Sequence, residues 1–306
     1  MSVCSAVAAS VCAVIEAPAR RGSIFLGLAR LLDPRPYVRA LIELVSLAFR
    51  ERVVTLELAK RELTAEHSGK ALGVVWGMLQ PLALLAIYAL IYGIVFRARI
   101  ESLVGGLPRN YTVYILSGLV PWFAFQFLMV KSATVIVGNA HLVKQVVFDV
   151  RLLPIATTLA SSLSLILGLG FLAIYTMFVY GTLPLTYLLL PVLVALQFLA
   201  MVGVAYALAA IGVFVKDVRD VVQLSAIVLI FLLPIVYLPS QVPAAFDPIL
   251  WLNPFSYMIW CFQDVLYFGS IEHQAAWVIF PAWTLFILAG GYRVFRRVRP
   301  LFANVL

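Results

Sequence analysis

Two neighbouring runs, Leu152–Tyr180 and Pro184–Val215, contain no Asp, Glu, Lys or Arg. A helix needs roughly 20 apolar residues to cross a bilayer, and each run exceeds that length. A water-soluble fold has no place for two such elements in succession. Composition agrees: 64% of the 306 residues are hydrophobic and 12% are charged. Soluble domains carry about 45–50% apolar and about 25% charged residues. Four further stretches qualify as spans: Leu72–Phe96, Tyr111–Ile136, Val221–Leu238 and Ala275–Tyr292. The expected fold is all-α, an integral membrane protein with six transmembrane helices.

Six spans put both termini on one face of the membrane. Nineteen Lys and Arg residues then fall on that face, and only Arg97, Arg99 and Arg109 on the other. The positive-inside rule makes the crowded face cytoplasmic. The expected location is the inner (cytoplasmic) membrane, multi-pass, with N- and C-termini cytoplasmic. The net charge of +8 reflects this sidedness and implies no nucleic-acid partner. Lys131 sits near the end of the second span, where its stem snorkels to the headgroups.

The stretch Phe231–Asp264 is apolar but broken by Pro234, Pro239, Pro243, Pro248 and Pro254. Each proline removes a backbone donor and clashes with the preceding turn. Non-helical backbone at membrane depth must be buried in protein or line a wet cavity. The fifth span is expected to end near Pro239. Short re-entrant helices then dip back into the extracytoplasmic edge before the sixth span.

Residues 1–36 read as a cytoplasmic extension, since their apolar run precedes the arginines rather than following them. A helix is expected over Tyr37–His67. Val38, Leu41, Ile42, Val45, Phe49, Val53, Leu56 and Leu63 recur at helical spacing, with Arg39, Glu43, Arg50, Arg52, Glu57, Lys60 and Arg61 between them. Such an amphipathic helix lies in the headgroup plane. The domain plan is therefore 1–36 extension, 37–71 amphipathic interface helix and 72–306 six-span permease domain. Gly69, Gly73 and Gly77 form a small-residue stripe that admits a close helix neighbour, within the subunit or in a dimer.

Several chemistries are missing. No G-x-x-x-x-G-K-[ST] is present to hold a nucleotide. His67, His141 and His273 have no ligand-spaced companions, and Cys4, Cys12 and Cys261 form neither a metal motif nor a disulfide framework. No G-x-S-x-G occurs, and nothing pairs Asp247, Asp264 or Glu272 for catalysis. Ionisable residues deep in the spans, which a proton-coupled carrier requires, are absent. The chain reads as a conduit driven from elsewhere and not as an enzyme.

Arg61-Glu62-Leu63, then Leu72-Gly73-x-x-Trp76 and Gln80-Pro81, resemble the permease subunits of ABC-2-type polysaccharide exporters. These move O-antigen, capsule or teichoic acid chains. Pro121-Trp122-Phe123, Asn139, Leu142-Val143-Lys144, Val147-Phe148 and Leu153-Pro154 follow in the family's order. So do Lys216-Asp217-Val218-Arg219-Asp220, Pro234-Ile235-Val236-Tyr237 and Asn253-Pro254-Phe255. The likeness runs from about Tyr37 to the C-terminus. It departs at Glu66 and His67, where basic and aromatic residues are usual. It departs again at Asp149, where Pro is common, and at Gln263, where an Arg is usual.

The resemblance implies a homodimer with two copies of a separate ABC-type ATPase, which would hold ATP and Mg; no cofactor is expected in this chain. The substrate it implies is a lipid-linked glycan of the O-antigen kind. Asn139, Leu142, Lys144, Phe148 and Arg151, with Arg61 of the interface helix, would couple to the ATPase. Val242–Leu252 and Phe255–Leu266 would be gate helices, with Pro239, Trp251, Asn253, Pro254 and Gln263 as gate residues. Aromatic rings lie against apolar sugar faces with weak directionality. Trp76, Tyr88, Tyr92, Phe96, Phe231 and Tyr237 are the candidates for lining the conduit. An exporter of a small drug or lipid, a capsule exporter and a non-transporting scaffold remain open alternatives.

Overall fold

The computed structural model describes residues 42–65 apart from 48, 73, 75–92, 110–143, 148–237 and 247–305. The extension 1–36, His67, Gly69, Phe96, Lys144 and Pro239 lie outside them. Helices are the regular elements among the described residues: α1 (Arg52–Ala65), α2 (Val75–Leu90), α3 (Tyr111–Ser132), α4 (Val135–Gly138), α5 (Ala140–Val143), α6 (Leu152–Tyr180), α7 (Leu190–Gly212), α8 (Val218–Leu232), α9 (Asp247–Leu252), α10 (Pro254–Gln263), α11 (Gln274–Val298) and α12 (Phe302–Val305).

Among the described residues, four helices are long and apolar enough to cross a membrane: Tyr111–Ser132, Leu152–Tyr180, Leu185–Gly212 and Gln274–Leu301. The chain is an integral membrane protein. The helix in the first expected span, α2, is a shorter apolar helix of 16 residues. Gly73 has φ +50° and sits in a turn ahead of α2 rather than within it. Helix α3 ends at Ser132, short of the expected Ile136, and the chain turns at Ala133 and Thr134 before α4.

The fifth stretch departs from expectation at its end. Helix α8 stops at Leu232, well before Pro239. The cause is Pro234, because the residue before a proline is driven out of the helical region. Leu233 accordingly adopts φ −107° and ψ 150°.

Helix α3 is the hub of the fold. Its buried side chains include Tyr114, Trp122, Phe125 and Leu128, and it packs on α2, α6, α7, α8 and α10. A second core gathers near Arg151 around Tyr206, Tyr292, Phe295 and Phe302. Helix α7 packs along α11 so closely that a Cβ on Gly291 would lie 2.1 Å from the Gly203 carbonyl oxygen. The interacting backbones leave no room for any side chain there.

The N-terminal helical segment lies against α6 and buries Leu44, Leu47, Thr55 and Ala59. A turn at Glu51 interrupts what the sequence presents as one helix. Ile42, Val45, Phe49, Val53 and Leu56, the expected apolar stripe, are exposed on the opposite side.

Candidate functional site

Three groups of residues carry the functional geometry. The first is polar and centres on Arg151, at the start of α6. Its Nη1 donates to Glu43 Oε1 at 2.7 Å and to the Tyr292 hydroxyl at 3.3 Å. Its Nη2 donates to Asp149 Oδ2 at 2.6 Å. The Tyr206 hydroxyl donates to the Arg151 carbonyl at 2.7 Å. Arg296 reaches the other Glu43 oxygen at 2.8 Å, and Arg299 lies 3.7 Å from Asp149. One guanidinium thus joins the N-terminal helix, the α5–α6 loop and the last long helix. Its planar fork suits several acceptors at once. Burial pushes the Asp149 carboxyl up, but hydrogen bonds from Arg151 and the Arg151 and Arg299 charges outweigh it. The carboxyl ends below its usual value. The Asp149 hydrogen bond, against burial, raises the Arg151 guanidinium above its usual value.

The other expected coupling residues that are described, Asn139, Leu142, Phe148 and Arg61, fall in two places, the Arg151-end core and a cavity. Asn139 ends α4, where its Nδ2 donates to the Val135 carbonyl at 2.9 Å. Leu142 and Phe148 pack half-buried against the Arg151-end core. Arg61 is exposed, with Nη2 3.4 Å from His141 Nε2. Arg61, Glu62, Lys131, Asn139 and His141 line a cavity of about 390 Å³ between the N-terminal helix and the α4–α5 turn. Arg151 has its contacts inside the chain, and these were not legible in the sequence.

The second group is a file of rings. Tyr88 lies 5.9 Å from Phe123 and stacks on Tyr92 at 6.2 Å. Tyr92 meets Tyr111 edge-on at 6.1 Å, and Tyr111 stacks on Tyr114 at 6.1 Å. Tyr114 meets Tyr267 at 5.3 Å, beyond which Phe268, His273 and Trp260 continue the series. Of the expected conduit residues, Tyr88 and Tyr92 belong to this file. Trp76 is exposed at the start of α2, and Phe231 is exposed on α8. Tyr237 is half-buried, with its hydroxyl donating to the Phe231 carbonyl at 3.1 Å. Tyr111 and Tyr114 were missed. Their position seven and four residues before Gly118 in an apolar run looks like packing alone.

The third group is the hairpin after α8. Leu233–Tyr237 is non-helical, so its carbonyls need donors. The Tyr114 hydroxyl lies 3.2 Å from both the Pro234 and the Tyr237 carbonyl oxygens, which share its single proton, and the Tyr111 hydroxyl donates to Val236. Gln263, fully buried, donates from Nε2 to the Pro234 carbonyl at 2.7 Å. The family's usual Arg at this position thus has a neutral counterpart that holds the broken end of α8. Asn253 caps α10, accepting from the Phe255 N–H at 3.1 Å, and Pro254 takes the first helical position. Proline is suited there because that N–H has no helical partner. Trp251 is exposed, lies 4.8 Å from Trp260, and accepts at its carbonyl from the Tyr257 hydroxyl. The hairpin continues through a π-turn, Asp264–Phe268, to the N-terminus of α11. Asp264, which opens this turn, is buried.

A family model described as "ABC-2 type transporter" matches residues 54–267. The O-antigen export system permease protein RfbA of Klebsiella pneumoniae is 24% identical over 251 residues, covering 81% of this chain and 93% of the relative. The O-antigen export system permease protein RfbA of Myxococcus xanthus is 26% identical over 267 residues, covering 86% and 99%.

Proposed function

The chain belongs to the ABC-2 type transporter family, and from that membership we propose that it is the permease of an ATP-driven exporter of a lipid-linked polysaccharide, O-antigen-like in class. Membership makes it a multi-pass membrane transport subunit and implies a partner ATPase subunit; the family binds no cofactor of its own. The finer reading has six spans, with α2 and α8 as the two shorter crossings, and the N- and C-termini in the cytoplasm. Two copies form the conduit and engage two ATPase subunits. The interface segment is assigned to 37–71 and the permease domain to 72–306.

The observation that carries the glycan reading is the ring file from Tyr88 to Trp260. Its Tyr88, Tyr92 and Tyr111 rings are half-buried and can meet a sugar face, whereas Tyr114, Tyr267 and Trp260 are buried and back them toward the hairpin. The names of the relatives support the same class. In this reading the hairpin is the extracytoplasmic gate, and Arg61, Asn139, Leu142, Lys144 and Phe148 present the surface that docks the ATPase. Arg151 sets that surface rather than touching the partner.

Deleting the gene tests the function. Loss of surface polysaccharide, with lipid-linked glycan accumulating inside the cell, is the expected result. Intact surface polysaccharide with altered efflux of a small amphiphile would instead select the drug or lipid exporter.

A further inference from the structure

Among the described residues Asp264 is the only fully buried carboxylate, its side chain 0% exposed. An ionised carboxylate out of water costs several kcal/mol unless it is paired and hydrogen-bonded. Here every donor comes from one place. The His273 backbone N–H reaches Oδ2 at 3.1 Å, and the Trp277 Nε1–H reaches the same oxygen at 3.0 Å. His273 Nδ1 lies 2.8 Å from Oδ1. His273 is the N-cap of α11, and Trp277 lies in its first turn. The carboxylate therefore also faces the positive end of the helix. The His273 ring stacks on Trp260 at 5.3 Å and meets Phe268 at 5.8 Å, so hairpin residues hold it on two sides.

The far end of the same helix carries Tyr292 and Arg296, the partners of Arg151 and Glu43. Helix α11 has 25 residues, which at 1.5 Å each is about 37 Å. The backbone contact of Gly291 with Gly203 seats it rigidly on α7. Although Pro281 falls inside it, the helix runs unbroken and carries a polar cluster near each end.

We propose that Asp264 is a positioning residue of the gate. Its carboxylate fastens the α10 hairpin to the last span, so that the hairpin moves with α11 and with the Arg151 cluster at the far end. Without the carboxylate the hairpin opens on its own. This rests on reading the hairpin as the extracytoplasmic gate.

Cys261, buried one turn before Asp264, is the reporter. The test uses the full-length chain with Cys4→Ser and Cys12→Ser, in spheroplasts, without added nucleotide or glycan. A membrane-impermeant maleimide measures how fast Cys261 becomes accessible. A hydrogen bond to a charged group, when lost, shifts a local opening equilibrium about tenfold or more. Asp264→Ala and Trp277→Phe are expected to label about tenfold faster than the parent. Trp277→Phe keeps an aromatic ring while losing the Nε1–H donor, so it remains informative if Asp264→Ala fails to accumulate. A second buried thiol, Ala200→Cys in a Cys261→Ser chain, reports general loosening.

Unchanged labelling of Cys261 overturns the proposal, as does an equal rise at both thiols. A rise at Cys261 seen only after permeabilisation supports the latch and overturns the extracytoplasmic placement of the hairpin. The readout is thiol accessibility compared between variants in the same cells, so the outcome does not depend on whether the cargo is a glycan.

Discussion

The Arg151 guanidinium and the Glu43 carboxylate meet at 2.7 Å although 108 residues separate them. Glu43 also accepts from Arg296, and Arg151 also donates to Asp149 and Tyr292. The N-terminal helix is therefore tied to both the α5–α6 loop and the last span by one pair of side chains.

Removing the hub should destabilise the chain and loosen the N-terminal helix. Arg151→Ala is expected to lower stability by roughly 2–3 kcal/mol, because Glu43, Asp149 and Tyr292 all lose a charged donor in a half-buried setting. Arg151→Lys should not restore it, since an ammonium lacks the fork that reaches three partners. Thermal unfolding in detergent, followed by the loss of monodisperse protein, measures both. A melting temperature equal to the parent's for Arg151→Ala would contradict the hub.

The Asp149 contact sets a pH dependence. Its carboxyl lies below the ordinary value of 3.8 in the fold. A depressed carboxyl contributes stability that is fully present above its unfolded value and is lost as pH falls through the folded one. The contribution should thus persist through mildly acidic pH and disappear only below about 4. Comparing melting temperatures of parent and Asp149→Asn across that range reads it. The gap between them should close toward low pH, and a gap that widens there would refute the assignment.

Helices α7 and α11 should not tolerate a methyl group at their crossing. A Cβ on Gly203 would fall 2.6 Å from the backbone of Leu288, and one on Gly291 would fall 2.1 Å from the Gly203 carbonyl oxygen. Gly203→Ala or Gly291→Ala is expected to cost at least about 1–3 kcal/mol, the usual penalty for overpacking. Yield of folded protein and its melting temperature are the readouts. Gly170→Ala, where nothing lies within 4 Å, is the control and should be neutral.

Export should depend on the ring file more than assembly does. Tyr88→Ala with Tyr92→Ala, extended to Phe96→Ala, is expected to lower surface glycan while the chain still assembles with its ATPase. Both tyrosines are only half-buried, so their loss leaves the main core intact. Surface glycan at the parental level would remove these rings from the conduit.

The docking surface has its own test. Phe148→Ala and Lys144→Glu should reduce co-purification with the ATPase and the permease-stimulated part of ATP hydrolysis. Phe148 packs half-buried on the Arg151-end core, so the alanine variant is expected to soften the loop that carries it. Full co-purification with normal stimulation would show that the loop merely connects two helices.

The membrane class, the all-helical fold and the family were legible because they depend on local signals. Charge-free runs report spans, and short motifs in fixed order report ancestry. Expected helix ends were less accurate. Pro239 looked like the stop of α8, but Pro234 already diverts Leu233. The carbonyls released there are tolerated only because Tyr111, Tyr114 and Gln263 supply donors from other helices. The sites divide the same way. Tyr88 and Tyr92 stand out by their spacing, whereas Tyr111 and Tyr114, which share the ring file with them, are hidden in an apolar run.

By itself, then, the sequence determined that this chain enters a membrane and which family it belongs to. Hydrophobic run length and residue order act over tens of residues at most. Only the tertiary structure decided that Arg151 grips Glu43 rather than pointing outward, and that Asp264 is buried against the last span. Those outcomes depend on which donor meets which acceptor across 108 and 13 residues of chain. No periodicity encodes such a meeting, because it follows from how whole helices pack.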